Sequence, residues 1–292
     1  YANNCFISST LAKAIIGDAF QDLVKTRKKI QKKGKAKTLT ISCDIELIQR
    51  KNIRKIEGEN VLGLVEGIDP DLKDEVIIIT AHYDHLGKKG KSIYYGADDN
   101  ASGTSTVLEV CEAFAEAKKQ GSGPRRSVLF MLVSGEEKGL LGSEYYTENP
   151  VFPLEQTVAN VNVDMVGRVD SKHAENPNYI YVIGADRLST ELHEINEMAN
   201  GNYVNLELDY TYNAKNDPNR YYYRSDHYNF AEKGIPAIFY FNGTHKDYHR
   251  ITDTIDKINF EKMAKIGQLV FHTTWELANR DERIKVDVIE KE

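Results

Sequence analysis

Short apolar runs alternate with segments of helical spacing from residue 76 onwards. The runs at residues 76–81, 127–133 and 237–241 are typical of strands buried on both faces, and residues 158–163 and 179–183 are also predicted to be strands. Between these runs, apolar residues recur three and four positions apart, as at Val107, Cys111 and Phe114. Strands alternating with helices predict a mixed, mostly parallel sheet between two helical layers, a three-layer α/β/α fold.

The pattern changes towards the N-terminus. Helical spacing covers residues 7–24, and the basic run at 25–37 is interpreted as a solvated helix end followed by a loop. Strict alternation at residues 39–47 predicts a half-exposed strand that pairs with residues 60–66. We therefore predict an N-terminal helical and basic segment at 1–38 and one domain at 39–292. Within that domain, the tyrosine-rich stretch at 203–223 is expected to be a long loop.

Charge and hydropathy exclude two classes of partner. The formal net charge of -6 argues against nucleic acid, because binding phosphates requires a positive surface. No apolar run approaches the roughly 20 residues of a membrane span. The oligomeric state has no signal in the sequence.

Histidine and carboxylate residues follow the ends of the predicted strands. Because the carboxyl ends of parallel strands meet at one edge of a sheet, these residues are expected to lie together. Taken alone, each acid is more typical of a solvated loop or a helix cap. Together the carboxylates would repel one another unless a pair of divalent cations neutralised them, and this ligand mixture suits zinc. The residues are His82, Asp84, Asp98, Asp99, Glu136, Glu137, Asp164 and His249.

The order of these motifs resembles that of the co-catalytic di-zinc aminopeptidases, family 28 of the metallopeptidases. The matching motifs are His82-x-Asp84, Gly96-Ala97-Asp98-Asp99, Glu136-Glu137, Asp164 and Tyr248-His249, within roughly residues 60–278. The family includes bacterial leucyl aminopeptidases, glutamate carboxypeptidases and glutaminyl cyclases. The resemblance implies a zinc exopeptidase fold, peptide substrates and two Zn²⁺ ions per chain.

The resemblance also implies a role for each ligand. One zinc is expected on His82 and Asp164 and the other on Glu137 and His249. Asp99 would bridge the two, and the Asp99–Asn100 peptide would be cis.

Other roles concern catalysis. The resemblance implies that Glu136 is the general base for a metal-bridging water. Tyr248 either donates to the oxyanion or packs against the strand. Asp84 is expected to accept the free ring N–H of His82, and His227 to contact substrate.

Some residues have no assigned role in the site. His85 is interpreted as structural or supporting, and Arg168 either binds a substrate carboxylate or makes a structural ion pair. The tyrosines within 203–223 suggest either an aromatic wall for the substrate or a packed tyrosine-rich loop. The remaining histidines are interpreted as ordinary surface or helix residues: His173, His193, His245 and His272.

The function expected from these residues is aminopeptidase activity. The alternatives are a carboxypeptidase or glutaminyl cyclase on the same fold, or a catalytically silent binding module. Residues 7–12 resemble the return from an upstream protease-associated insert. We therefore expect a longer precursor that is secreted, periplasmic or envelope-associated.

Overall fold

The computed structural model describes residues 6–46, 48, 53 and 55–288. The chain divides into two units, Tyr1–Ile56 and Glu57–Glu292. The predicted boundary at residue 38 stays a prediction.

The described part of the first unit is helical and then irregular. Helix α1 spans Ser9–Ile16 and α2 spans Ala19–Lys33, and no residue of either helix is buried. The basic run agrees with its interpretation as a solvated helix end followed by a loop, since it is helical without a buried residue to Lys33 and irregular from Gly34 to Lys37. The helix ends at Gly34, whose φ of 63° suits glycine.

The predicted strand at 39–47 is not formed. Residues 39–46 have no regular structure, and Leu47 lies outside the described residues. Alternation marks a strand only where one face is covered, but the side chain of Ile45 is 61% exposed. The expected partner at 60–66 does form a strand, and it pairs elsewhere in its own unit.

The described residues of the second unit form nine strands and six helices. The strands are β1 (Val61–Val65), β2 (Val76–His82), β3 (Lys88–Lys89), β4 (Ser92–Ile93), β5 (Ser127–Val133), β6 (Thr157–Val163), β7 (Tyr179–Ile183), β8 (Glu207–Asp209) and β9 (Ala237–Phe241). The helices are α3 (Gly103–Lys119), α4 (Leu141–Glu148), α5 (Ala185–Leu188), α6 (Thr190–Ala199), α7 (His227–Glu232) and α8 (Phe260–Asn279).

Seven strands form the central sheet in the order β1, β5, β2, β6, β9, β7, β8. Neighbours from β5 to β9 in this order are parallel, whereas β1 is antiparallel to β5 and β7 is antiparallel to β9. Strands β3 and β4 form a separate hairpin. The prediction of a mixed, mostly parallel sheet is confirmed. The stretch predicted as a loop contains β8, which pairs in parallel with β7.

Both faces of the sheet are covered. Every residue of β2 is buried: Ile77 packs in one apolar cluster with α3 and α8, and Ile78 packs in another with Tyr146 of α4 and Phe230 of α7. Successive side chains of a strand point to opposite faces, so these clusters are the two interfaces of a three-layer fold. Within the described residues, every helix is too short or too polar to cross a membrane.

Candidate metal centre

The carboxyl ends of four parallel strands meet at one edge of the central sheet. His82 is the last residue of β2 and pairs in register with Val133 at the end of β5. Glu136 and Glu137 follow β5, and Asp164 follows β6 directly. The sheet therefore brings together side chains that are distant in sequence, at the edge where α/β folds usually bind ligands.

Asp99 lies between two groups of candidate ligands. Its Oδ1 is 3.3 Å from His82 Nε2, and Asp164 Oδ1 is also 3.3 Å from that nitrogen. Its Oδ2 is 3.1 Å from His249 Nε2, which lies 3.4 Å from Glu137 Oε2. The two oxygens of one carboxylate thus face different groups, which is the geometry of a bridging ligand.

The donor atoms have the spacing of ligands around zinc. Ligands bound tetrahedrally at about 2.0–2.1 Å lie about 3.3 Å from one another. Among the described residues, His82 Nε2, Asp164 Oδ1 and Glu137 Oε1 are buried without a hydrogen-bond partner. Buried polar atoms normally have partners, so these atoms fit the coordination of a metal.

The charge of the centre also calls for a cation. Burial lowers the pKa of His82, but Asp164 and the other carboxylates outweigh this effect and raise it well above its usual value. Burial raises the pKa of Glu136 to about 9; His82 opposes this shift, whereas Asp164, Asp226 and Asp99 add to it. The metal-free centre therefore takes up protons, which a divalent cation would replace.

The orientation of His82 depends on the backbone of Asp84. His82 Nδ1 lies 3.0 Å from the Asp84 carbonyl oxygen. Because a carbonyl oxygen only accepts, Nδ1 donates, and Nε2 keeps its lone pair for a metal. Asp84 therefore accepts the ring N–H of His82 through its backbone carbonyl oxygen. The Asp84 carboxylate is more distant, at 3.7 Å from Nδ1. It accepts the backbone N–H groups of Glu136 at 3.1 Å and Glu137 at 3.4 Å, and so orients the turn that carries them.

A buried polar chain holds Asp164. Ser225 Oγ donates to Asp164 Oδ2 at 2.8 Å, and Asn162 Nδ2 donates to Ser225 Oγ at 2.8 Å. Thr80 Oγ1 in turn donates to Asn162 Oδ1 at 2.7 Å. Because Oδ2 is engaged in this way, Asp164 is fixed with Oδ1 facing His82.

The loop that carries Asp99 is held by the segment that carries His249. The buried carboxylate of Asp253 accepts the backbone N–H of Asp98 at 3.1 Å and that of Asp99 at 3.2 Å. His245 Nε2 lies 3.1 Å from Asp98 Oδ2. Sequence reasoning missed both contacts, because an aspartate and a histidine in a loop carry no signal of their partners. The cis peptide implied after Asp99 is present.

A cavity opens over the centre. Tyr248 lies in its wall with its ring stacked 3.9 Å from that of His249, and its hydroxyl accepts a hydrogen bond from Arg224 Nη2 at 3.3 Å. Tyr221 also lies in the wall, whereas Tyr212 and Tyr222 of the same stretch pack in an apolar cluster. The cavity is lined by Asp99, Glu136, Glu137, Asp164, Met165, Tyr221, Arg224, Phe239, Phe241, Thr244, Tyr248 and His249.

Two residues considered for substrate binding lie outside this cavity wall. Arg168 Nη2 is 3.0 Å from Asp247 Oδ2. Of the two roles considered for Arg168, the structure therefore has the structural ion pair. His227 is completely buried and stacks 4.8 Å from Phe239, and burial lowers its pKa to about 3. A contact between His227 and a substrate therefore has no support in the described structure.

The family model of peptidase family M28 matches residues 60–274. A probable leucine aminopeptidase of Arthroderma otae is 29% identical over 238 residues, which are 79% of this chain and 62% of that protein. The aminopeptidase YwaD of Bacillus subtilis is 27% identical over 235 residues, 78% of this chain and 46% of that protein.

Solved structures agree with these relatives. A zinc aminopeptidase from Bacillus subtilis has a TM-score of 0.59 at 25% identity, and the match covers 79% of this chain and 53% of that one. A glutaminyl cyclase from an Acidobacteriales bacterium has a TM-score of 0.56 at 18% identity over 75% of this chain and 73% of that one, a likeness of fold alone.

The chain spans less than two thirds of the length of these aminopeptidases. The matched family model nevertheless covers most of it, including each predicted ligand from His82 to His249. The resemblance drawn from the motifs is confirmed, and the chain belongs to peptidase family M28.

Proposed function

We propose that this chain is a zinc-dependent aminopeptidase that removes N-terminal residues from peptides. The observation that carries the proposal is Asp99, whose two carboxylate oxygens face separate groups of histidine and carboxylate ligands. Membership of the family supports a peptidase, and the names of the relatives support the preference for N-termini.

Two cations fit the ligands. His82 and Asp164 would hold one, Glu137 and His249 the other, and Asp99 both. When bound, zinc supplies Lewis acidity, which activates water and polarises the scissile carbonyl.

Glu136 has the position of a general base. Its Oε2 is 3.9 Å from His82 Nε2, farther than the ligand oxygens of Asp99 and Asp164 at 3.3 Å. Its side chain is only 12% exposed, and it lies in the cavity wall. A carboxylate beside the ligands, but outside their spacing, can accept a proton from the attacking water and pass it to the leaving amine.

The rest of the wall supports binding of a peptide N-terminus. Phe239, Phe241 and Met165 offer an apolar surface to the side chain of an N-terminal residue. Tyr248, held by Arg224 against the ring of His249, is placed to donate to the oxyanion.

One observation favours a second candidate, a carboxypeptidase. Arg224 lines the cavity, and a guanidinium group there would pair with a substrate carboxylate. Sequence reasoning missed this arginine, because one of several cations in or next to a tyrosine-rich stretch has no distinguishing spacing.

Hydrolysis of matched free and N-acetylated dipeptides distinguishes the two functions. We expect cleavage of the free-amine substrates only, loss of activity with a chelator and recovery with zinc. Cleavage that ignores acetylation but requires a free C-terminus would instead establish a carboxypeptidase. A fully active protein without metal would refute both functions.

The variant E136Q tests the base. Its zinc content should match that of the wild type, while kcat falls about 100- to 10,000-fold, since proton transfer contributes that much. E144Q, which changes an exposed carboxylate of α4, is the matched control and should retain full activity. Full activity in E136Q would remove Glu136 from the mechanism.

The resemblance of residues 7–12 to the return from a protease-associated insert supports one more proposal. The chain would belong to a longer protein that is secreted, periplasmic or envelope-associated. Cell fractionation with an antibody against this chain tests it, and recovery solely in the cytosol would contradict it.

A further inference from the structure

His85 is a buried histidine beside the centre that the predicted mechanism does not use. It follows β2 by three residues, and its side chain is only 9% exposed. Neither ring nitrogen has a hydrogen-bond partner among the described residues. A buried polar side chain without a partner calls for an explanation, and coordination of a metal ion is one.

The ring of His85 is directed towards the second group of ligands. Its Nδ1 lies 2.8 Å from Glu137 Oε1 and 3.8 Å from Asp99 Oδ2. The atoms of the first pair are close enough to hydrogen-bond, yet both count among the buried atoms without a partner. Their geometry is therefore not that of a hydrogen bond. Two ligand atoms that lie this close without a hydrogen bond between them fit coordination of the same metal ion.

The distances suit one metal ion. His85, Asp99 and Glu137 each offer a ligand atom within 4.8 Å of the others. His249 Nε2 adds a fourth donor, 3.1 Å from Asp99 Oδ2 and 3.4 Å from Glu137 Oε2. These separations bracket the value of about 3.3 Å expected around tetrahedral zinc. The two imidazole rings lie 5.9 Å apart at 66°, so they approach from different directions.

The group around His82 differs. There Asp99 and Asp164 lie 3.3 Å from His82 Nε2, while the fourth nearby oxygen, of Glu136, is farther away at 3.9 Å. Three close protein donors leave one position of a tetrahedral ion open. Open positions are characteristic of catalytic zinc, whereas structural zinc has four protein ligands.

We propose that His85 is a fourth protein ligand of the cation held by Asp99, Glu137 and His249. The proposal rests on the two-cation centre of the proposed function. It makes the centre unequal: the His85 site is closed and binds its metal tightly, and the His82 site is open and exchanges its metal more readily.

Graded chelation of the zinc-loaded protein tests this inequality without an activity assay. We expect wild-type protein to release zinc in two steps, one easy and one resistant. H85Q should lose the resistant step, with an affinity lower by about 100-fold or more, since even partners of metal ligands contribute about 10- to 100-fold. H82Q, the mirror variant, should lose the easily released ion and keep the resistant one.

Further measurements distinguish the loss of a metal ligand from misfolding and from the loss of a histidine elsewhere. The metal-free H85Q and wild-type proteins are compared by circular dichroism, and H272Q on α8 controls for loss of a histidine elsewhere. With no substitution at all, the first equivalent of Co²⁺ added to metal-free wild-type protein should give the intense visible absorption of four-coordinate cobalt.

Failure of this proposal is distinct from failure of the proposed function. Two bound zinc ions with unchanged release in H85Q, or a weak five- or six-coordinate cobalt spectrum in the wild type, would remove His85 from the centre and leave the peptidase proposal intact. A wild-type protein that binds no zinc would overturn the proposed function itself.

Discussion

Replacing Asp253 by asparagine should destabilise the metal-free protein. The carboxylate accepts two backbone N–H groups, those of Asp98 and Asp99, and its side chain is completely buried. Both N–H groups bond Oδ2, and the Asp98 N–H is shared with Oδ1 at 3.2 Å. Asparagine has the same shape but only one acceptor oxygen, so with that oxygen in the place of Oδ2 its buried NH₂ group faces the Asp98 N–H, another donor, and has no acceptor there. An unsatisfied buried donor costs about 1–3 kcal/mol.

Two further effects, one destabilising and one stabilising, change the free energy of unfolding of D253N. The two backbone hydrogen bonds that remain are no longer charge-assisted, which removes about 1 kcal/mol more. Against this, the neutral side chain no longer repels the buried carboxylate of Asp98, whose pKa is raised by burial and, in smaller part, by Asp253. We expect the free energy of unfolding to fall by about 1–3 kcal/mol in D253N.

Urea denaturation of the metal-free variants measures this change. The midpoint should fall with an unchanged slope, because the surface exposed on unfolding is the same. D256N alters an exposed aspartate three residues along the same segment and should leave the midpoint unaltered. Equal midpoints for D253N and D256N would refute the reasoning.

Three other changes test the surroundings of the centre. S225A removes the donor to Asp164 and should weaken zinc binding about 10- to 100-fold in a competition titration; unchanged binding would contradict a positioning role. Y248F should keep its zinc but lose about 100- to 1,000-fold in kcat, as expected for an oxyanion donor; a change in KM alone would oppose this. The pKa of Lys262 is lowered by burial to about 7, against about 10.4 in the unfolded chain. Between pH 7 and 10 the unfolded state therefore binds more protons, so the free energy of unfolding rises with pH, by up to a few kcal/mol. K262M should flatten that rise in urea titrations at pH 7 and 9.5; an identical slope in the variant would exclude Lys262 as its source.

The strands and their terminal residues were predictable because burial on both faces requires a run of mainly apolar residues, which is visible in the sequence. A strand covered by helices on both sides is mainly apolar and carries no ionisable residue in its interior, as in β2 and β6, so the first ionisable residue marks its end. His82 and Asp164 were found in this way. The prediction of a strand at residues 39–47 was wrong because alternation indicates one apolar face but does not show whether another element covers that face.

Contacts made by common loop residues could not be predicted. Asp84 and Asp253 bind backbone N–H groups, which are identical at every position and leave no pattern in the sequence. His245 reaches Asp98 only because two distant loops meet. The family resemblance supplied the ligand roles but not these supporting contacts.

The assembly of the centre from several strand ends has a consequence for the order of events during folding. His82 is contributed by β2 and Asp164 by the residue after β6, while His249 follows β9, the last strand of the sheet. A chain emerging from the ribosome therefore cannot close the site until this late segment has docked. The complete pair of proposed metal sites would form only at the end of folding, and a chain stopped before residue 249 would remain without it even if its earlier strands had paired.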